Sequence, residues 1–122
     1  MRALIVDDSR PIRRIEADIL KELGFETADA CHGKEALERL QSANLPDVVL
    51  IDWNMPEMDG LELIKALRND ARYSGLVLLM VTTETEVSQM LRALSAGADE
   101  YLMKPFTKGA LADKLRMVGV VQ

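Results

Sequence analysis

Residues 48–56 read Val-Val-Leu-Ile-Asp-Trp-Asn-Met-Pro, four apolar residues in a row that run directly into an acid. An apolar run without polar alternation is typical of a parallel strand that is covered on both faces. A second run of this kind, Leu-Val-Leu-Leu-Met-Val at 76–81, is followed by Thr82. We therefore expect a central parallel sheet with helices on both sides.

Strand-like and helix-like segments alternate five times along the chain. The strand-like runs lie near 2–6, 26–30, 47–51, 76–82 and 99–103. The first helical segment carries apolar residues from Ile12 to Leu23, and the others lie near 34–41, 60–69, 85–96 and 107–118. Alternating strands and helices predict an α/β fold, a doubly wound five-stranded parallel sheet with five helices and right-handed crossovers.

Each helical segment carries apolar side chains at steps of three and four residues, which predicts one face turned to the core. The expected core-facing residues are Ile12, Ile15, Ile19 and Leu23 in the first helix, Ala36, Leu37 and Leu40 in the second, Leu61, Leu63, Ile64 and Leu67 in the third, Val87, Leu91 and Leu94 in the fourth, and Leu111, Leu115 and Val118 in the fifth. Pro11 suits the first turn of the first helix, with Asp8 or Ser9 as its N-cap.

Size and charge restrict the function classes. The 122 residues, 48% hydrophobic and 29% charged, suit a single globular domain over residues 1–122. The net charge of −5, without a basic block, argues against direct nucleic-acid binding. No apolar stretch reaches the roughly 20 residues that span a bilayer, so we expect no membrane insertion. The single cysteine, Cys31, fits a reducing compartment, and we expect a cytoplasmic protein.

Residues that could bind or accept a phosphoryl group follow four of the five predicted strands. Asp7 and Asp8 follow the first, Asp52 the third, Thr82 the fourth and Lys104 the fifth. Ligands of open parallel sheets bind beyond the carboxyl ends of the strands, so these side chains are expected to converge. Three neighbouring carboxylates repel one another, and Mg²⁺, which prefers oxygen ligands, would relieve that repulsion. Asp52 could then act as the nucleophile toward a phosphoryl group, assisted by Thr82 and Lys104.

Four motifs give the chain a specific resemblance. They are Val-Asp-Asp-Ser at 6–9, Asp-Trp-Asn-Met-Pro-Glu-Met-Asp-Gly at 52–60, Val-Thr-Thr-Glu at 81–84, and Ala-Gly-Ala-Asp-Glu-Tyr-Leu-Met-Lys-Pro-Phe at 96–106. With these motifs the whole chain resembles the response-regulator receiver family, above all its stand-alone chemotaxis type. The resemblance implies the flavodoxin-like strand order 2-1-3-4-5. It also implies a signalling domain and not an enzyme, with only self-catalysed, Mg²⁺-dependent phosphorylation and dephosphorylation.

The resemblance also implies a role for each matching residue. Asp52 would be the phosphoacceptor, and Mg²⁺ would be held by Asp7, Asp8, Asp52 and the backbone carbonyl of Asn54. Lys104 would contact the phosphoryl group, and the Lys104–Pro105 peptide bond would be cis. Thr82 and Tyr101 would form the switch pair, in which the hydroxyl moves onto the phosphoryl group and the aromatic ring turns inward.

Two further positions tune the phosphoryl lifetime in this family, and here they are Asn54 and Glu84. Both types of side chain can reach the water that attacks an acyl phosphate, which predicts a short-lived signal. Ordinary solvated loop residues are the alternative interpretation of both. Thr83 departs from the small residue usual in the family and could slow access to the acceptor.

The resemblance implies protein partners. We expect a sensor histidine kinase as phosphodonor and a target protein on the surface formed by the fourth helix, fifth strand and fifth helix. A phosphatase would be a further partner, and the chain would be a monomer. A phosphorelay intermediate, or the receiver of a larger regulator, is the alternative within the family.

Two function classes outside the family fit less well. A phosphatase of the haloacid-dehalogenase kind also uses an aspartate nucleophile, but its D-x-D pattern is missing here. An interaction scaffold without chemistry would not need all five site residues. His32 is interpreted as a surface loop residue, and Trp53 as a partly exposed one.

Overall fold

The computed structural model describes residues 1–42, 44–83 and 87–121. Five strands alternate with five helices, as expected. The strands are β1 (Arg2–Val6), β2 (Glu26–Ala30), β3 (Val48–Asp52), β4 (Val77–Thr82) and β5 (Glu100–Met103). The helices are α1 (Arg10–Glu22), α2 (Gly33–Leu40), α3 (Gly60–Arg68), α4 (Val87–Ala96) and α5 (Lys108–Met117). A short 3₁₀ helix at Ala71–Tyr73, which the sequence pattern did not predict, precedes β4.

The strands form one parallel sheet in the order β2-β1-β3-β4-β5, which confirms the predicted fold. Alternate residues of the central strands enter two separate cores. Val49 and Ile51 of β3 pack with α2, α3 and α4, whereas Val48 and Leu50 pack with α1 and α5. All five residues of β3 are buried, because helices cover both faces of this strand. Within the described residues, no helix is long and apolar enough to cross a bilayer.

Side-chain hydrogen bonds to backbone amides determine where several of the helices begin. The Ser9 hydroxyl accepts from the Ile12 amide and caps α1, with Pro11 in the first turn, and Asp59 caps α3 through a reciprocal capping box with Glu62. His32 lies in the loop before α2, as expected, and is half-buried. Its Nδ1 accepts from the Glu35 amide (3.1 Å) and caps α2.

The buried face of α1 differs from the predicted one. Ile15 was expected in the core but is 55% exposed. The two fully buried side chains of α1 are instead Leu20 and the acid Glu16. Ile12 and Ile19 are half-buried at the border of the packed face. The helix is rotated relative to its apolar stripe, and a carboxyl group enters the interior as a result.

The apolar stripe of α4 is also placed differently from the prediction. Val87 is 68% exposed, Leu91 57% and Leu94 39%. The helix packs instead through small residues, with Ala93 fully buried and Ala96 half-buried against the core. The large residues therefore point away from the core, and their assignment to it was wrong. The predicted faces of α2, α3 and α5 are confirmed for the most part, with Leu37 and Val118 only half-buried.

Candidate functional site

The candidate site lies at the carboxyl edge of the sheet, where β1, β3, β4 and β5 end side by side. The Trp53 amide donates to the Val81 carbonyl (3.0 Å), and the Lys104 amide donates to the Thr82 carbonyl (2.9 Å). These bonds continue the strand pairing one residue beyond β3 and β5. They hold Asp52, Thr82 and Lys104 close to one another.

Three carboxylates meet at this edge. Asp7, Asp8 and Asp52 each contribute one oxygen to a group whose atoms all lie within 4.8 Å of one another. Asp7 and Asp52 are buried, whereas Asp8 is exposed. The Ser9 amide donates to Oδ1 of Asp7 (2.8 Å) and so fixes the orientation of that carboxylate. Charges about 4 Å apart repel by about 4 kcal/mol at an effective dielectric constant of 20, so this group of oxygens suits a divalent cation.

Lys104 bridges two of these acids. Its Nζ lies 3.0 Å from Oδ2 of Asp7 and 3.1 Å from Oδ1 of Asp52. The lysine side chain is mostly buried, and it reaches the acids because the strand pairing places β5 beside β4 at the same edge. The peptide bond to Pro105 is cis, as the resemblance implied. One ammonium group therefore contacts carboxylates from two different strands.

Burial and charge shift the ionisation of this pair. Burial raises the pKa of Asp52, and the charge of Asp7 raises it further, against a smaller lowering by Lys104. Burial alone would lower the pKa of Lys104, but hydrogen bonds to Asp7 and Asp52 and their negative charges together raise it. Lys104 therefore stays positively charged beside Asp52, as a group that stabilises a phosphoryl anion must.

A glycine brings α3 against the end of β3. The Gly60 amide donates to the Trp53 carbonyl (2.9 Å), and a Cβ at Gly60 would overlap the carbonyl oxygen of Asp52. Trp53 is only 9% exposed and has the Arg92 guanidinium of α4 5.9 Å from its ring centroid. The expectation of a partly exposed Trp53 was wrong, because α4 covers the ring. Asn54, the next residue, is exposed.

Two further predicted residues lie on β4 and β5 themselves. Thr82 is buried at the last position of β4. Tyr101 is half-buried on β5, with the Lys114 ammonium of α5 4.7 Å from its ring centroid. Glu84, predicted to tune the phosphoryl lifetime, falls outside the described residues.

The sequence reasoning missed Glu16. This residue is 2% exposed, and its Oε2 has no hydrogen-bond partner among the described residues. Burial raises its pKa to about 8, with repulsion by Asp7 and Asp52 adding to the effect and Lys104 opposing it. The signal was present in the sequence, since Glu16 lies between the apolar positions Ile12 and Leu20 at four-residue spacing.

Comparisons with known proteins agree with this geometry. The family model for the response regulator receiver domain matches residues 3–116. The chain is 44% identical over 119 residues to the chemotaxis protein CheY1 of Helicobacter pylori, covering 97% of this chain and 96% of that protein. It is 43% identical to a chemotaxis protein CheY homolog of Campylobacter jejuni, covering 97% of this chain and 92% of that protein.

A solved structure has the same fold. The chemotaxis response regulator CheY4 of Vibrio cholerae superposes with a TM-score of 0.88 at 38% identity, covering 96% of this chain and 97% of that one. Matches of this extent cover the sheet, the helices and the strand ends that bear Asp7, Asp52 and Lys104. The chain therefore belongs to the family of response regulator receiver domains, which are signalling domains and not classical enzymes.

Proposed function

We propose that this chain accepts a phosphoryl group on Asp52 from a sensor histidine kinase and thereby switches a protein-binding surface. The observation that carries the proposal is the double contact of Lys104, 3.0 Å from Asp7 and 3.1 Å from Asp52, inside a cluster of three carboxylates. Receivers of this family exchange phosphoryl groups with histidine kinases and act on downstream proteins. The names of the two bacterial relatives favour a role in chemotaxis.

In the proposed reaction, a carboxylate oxygen of Asp52 attacks the phosphorus of a phosphohistidine. The P–N bond breaks, its electron pair returns to the imidazole nitrogen, and an aspartyl phosphate forms. Lys104 already contacts the attacking carboxylate, so its positive charge lies where the phosphoryl oxygens arrive. The Thr82 hydroxyl, at the end of the neighbouring strand, hydrogen-bonds one of those oxygens.

The acid cluster suits Mg²⁺, which we assign to Asp7, Asp8, Asp52 and the backbone carbonyl of Asn54. All four would be oxygen ligands, and Mg²⁺ binds carboxylates and carbonyls while it keeps several waters. When bound, the ion supplies positive charge that offsets the repulsion between the carboxylates and the incoming phosphoryl group. Asp7 already engages Lys104 and the Ser9 amide, so its carboxylate is held in place before the ion binds.

The proposed switch couples the site to the surface formed by α4, β5 and α5. Thr82 moves toward the phosphoryl group, and Tyr101 turns inward behind it. Tyr101 pairs in register with Met80 of β4, two residues before Thr82. A displacement at the end of β4 would therefore be transmitted to β5. The surface carries exposed apolar residues on α4 and β5, including Leu91 and Met103, which suits a protein target.

The test is intact mass spectrometry after incubation with acetyl phosphate and Mg²⁺. We expect the mass of one phosphoryl group on the parent chain, and no gain for Asp52→Asn or after chelation of the metal. Asp18→Asn is the matched control, since Asp18 is an exposed acid of α1 that pairs only with Arg14 among the described residues. A phosphoryl group that still forms on Asp52→Asn would overturn the assignment.

The decay of the same species measures the lifetime of the signal. Asn54 is exposed and follows Asp52 by two residues, so we expect its side chain to reach the attacking water. We propose that Asn54 and Glu84 together set the decay rate, and that replacing both with alanine changes it. An unchanged decay rate would remove both residues from this role.

A further inference from the structure

Strand β2 forms one edge of the sheet and leaves part of its backbone unpaired. The Glu26 amide donates to the Met1 carbonyl (2.8 Å), so Glu26 is bonded toward β1. The direction of the amide and carbonyl groups alternates along a strand, and those of Thr27 and Asp29 therefore point away from the sheet. A strand edge of this kind is a template for pairing with another chain.

The centre of β2 is open on both faces of the sheet. Ala28 is exposed, and a cleft lies on each side of the strand. The cleft beside α1 has a volume of about 240 Å³, and the cleft beside α2 about 440 Å³. Thr27 and Ala28 line both clefts. Because side chains alternate between the two faces of a sheet, those of an added strand would enter the two clefts in turn.

The cleft beside α1 is rich in positive charge. Its only carboxylate among the residues that line it is Asp29, whereas its cations are Arg10, Arg13, Arg14 and Lys21. Arg13 pairs with Asp29 (2.9 Å), and Arg14 pairs with Asp18 (3.7 Å). Within the ranges that the structure describes, Arg10 and Lys21 have no ion-pair partner. Positive charge is therefore left over here, although the whole chain carries a net charge of −5.

The cleft beside α2 has no such excess of charge. Arg2 pairs with Glu26 (3.5 Å), and Arg39 and Glu38 add one charge of each sign. Apolar side chains also line this cleft, among them Leu40 and Pro46. An uncharged side chain suits the cleft beside α2, and an acidic one suits the cleft beside α1.

We infer that β2 binds an extended acidic segment of a partner protein as a sixth strand of the sheet. The backbone of the segment would hydrogen-bond to Thr27 and Asp29, and its acidic side chains would meet the cations of α1. A second copy of this chain fits less well, because a two-fold axis through paired β2 edges would bring both sets of α1 cations to the same face. Since β2 and β5 lie at opposite edges of the sheet, this surface is separate from that of α4, β5 and α5.

The test is fluorescence anisotropy with a labelled peptide, Glu-Val-Glu-Val-Glu-Val-Glu, in about 50 mM salt to limit screening. We expect saturable binding, and binding weaker by about tenfold or more for the counterpart with lysine in place of glutamate. Two further peptides carry N-methyl groups on the amides of either the glutamates or the valines. One of these two sets faces β2 in an added strand, so at least one methylated peptide should lose binding.

Variants of the chain test the two contacts separately. Lys21→Glu reverses a charge in the cleft and should weaken binding about fivefold or more. Lys65→Glu is the matched control, because Lys65 is likewise an exposed lysine in the last turn of a helix, and it should bind as the parent does. Thr27→Pro removes an outward amide without breaking a bond to β1, a substitution that edge strands tolerate, and it should abolish binding.

Hydrogen exchange of the parent chain tests the strand pairing without any substitution. The amides of Thr27 and Asp29 should exchange about tenfold more slowly or less when the peptide is bound. Unchanged exchange at both amides, binding that survives both methylated sets, or equal binding by Lys21→Glu and Lys65→Glu would overturn the inference. Slower exchange that follows dimerisation of the free chain would assign the edge to a second copy and would also overturn it. None of these readouts involves phosphorylation, so their failure would leave the proposed function untouched.

Discussion

Helices α3 and α4 have similar apolar patterns in the sequence but opposite positions in the fold. In α3 the stripe of Leu61, Leu63, Ile64 and Leu67 is buried at every position. In α4 the corresponding residues, Val87, Leu91 and Leu94, are 39–68% exposed. The two helices are neighbours on the same side of the sheet, so the difference lies in how each helix is rotated and not in where it lies.

Small residues account for the rotation of α4. Ala93 and Ala96 face the core, and beside them the backbone of the helix can approach the sheet closely. In α3 the branched side chains themselves fill the space above β3 and β4. Periodicity thus finds an apolar stripe, but the shape of the neighbouring surface decides whether that stripe is buried. An apolar stripe left exposed in a folded domain is a candidate contact for a partner.

A truncation in α3 tests whether its apolar stripe is buried, and we expect it to change stability more than any other substitution considered. Ile64 of α3 is completely buried, so Ile64→Ala removes apolar contacts and leaves a cavity. We expect the free energy of unfolding to fall by about 2–5 kcal/mol, measured by urea denaturation. A loss below about 1 kcal/mol would mean that α3 is not packed as the structure describes.

Helix α1 differs from both α3 and α4, because its buried face includes an acid. Burial raises the pKa of Glu16 from 4.5 to about 8. Between these values the folded chain binds more protons than the unfolded chain, so stability should fall as the pH rises from 4.5 to about 8. Each unit of pKa shift is worth about 1.4 kcal/mol, so the fall across the window is on the order of 4 kcal/mol.

The measurement is the free energy of unfolding of the parent chain and of Glu16→Val at several pH values, with a chelator present. The valine variant should be more stable at neutral pH, and the pH dependence specific to Glu16 should vanish. The raised pKa of Asp52 contributes a slope of the same sign, but it remains in both proteins and largely cancels in the difference. Identical slopes for the two proteins would contradict a buried, proton-linked Glu16.

The fold and the site could be predicted from the sequence because both depend on where strands end. The chain order places Asp7, Asp52, Thr82 and Lys104 directly after or at the ends of buried runs, and a parallel sheet brings those ends to one edge. No long-range packing detail is needed for that step. The resemblance to the receiver family then supplied the strand order, which the structure confirms, and the roles of the site residues, which stay predictions.

The rotation of helices could not be predicted in the same way. It depends on side-chain volumes from several elements at once, so Ile15, Leu91 and the other stripe residues of α4 were wrongly assigned to the core. The same packing buried Trp53, which α4 covers through Arg92. The burial of Glu16 was not predicted, because a charged residue within an apolar pattern normally belongs to the solvated face of a helix. In this fold the residue lies on the buried face of α1 instead.

A truncation in α4 tests whether its apolar stripe is exposed, and we expect it to change stability least. Leu91→Ala in α4 deletes a side chain as large as that of Ile64, but Leu91 is 57% exposed and leaves no cavity behind. Alanine and leucine are both strong helix formers, so the free energy of unfolding should change by no more than about 0.5 kcal/mol. The same urea titration that measures Ile64→Ala measures this variant, and the two differ mainly in which way the side chain faces. A loss near that of Ile64→Ala would place Leu91 in the core after all, and α4 would then lose its apolar surface for a partner.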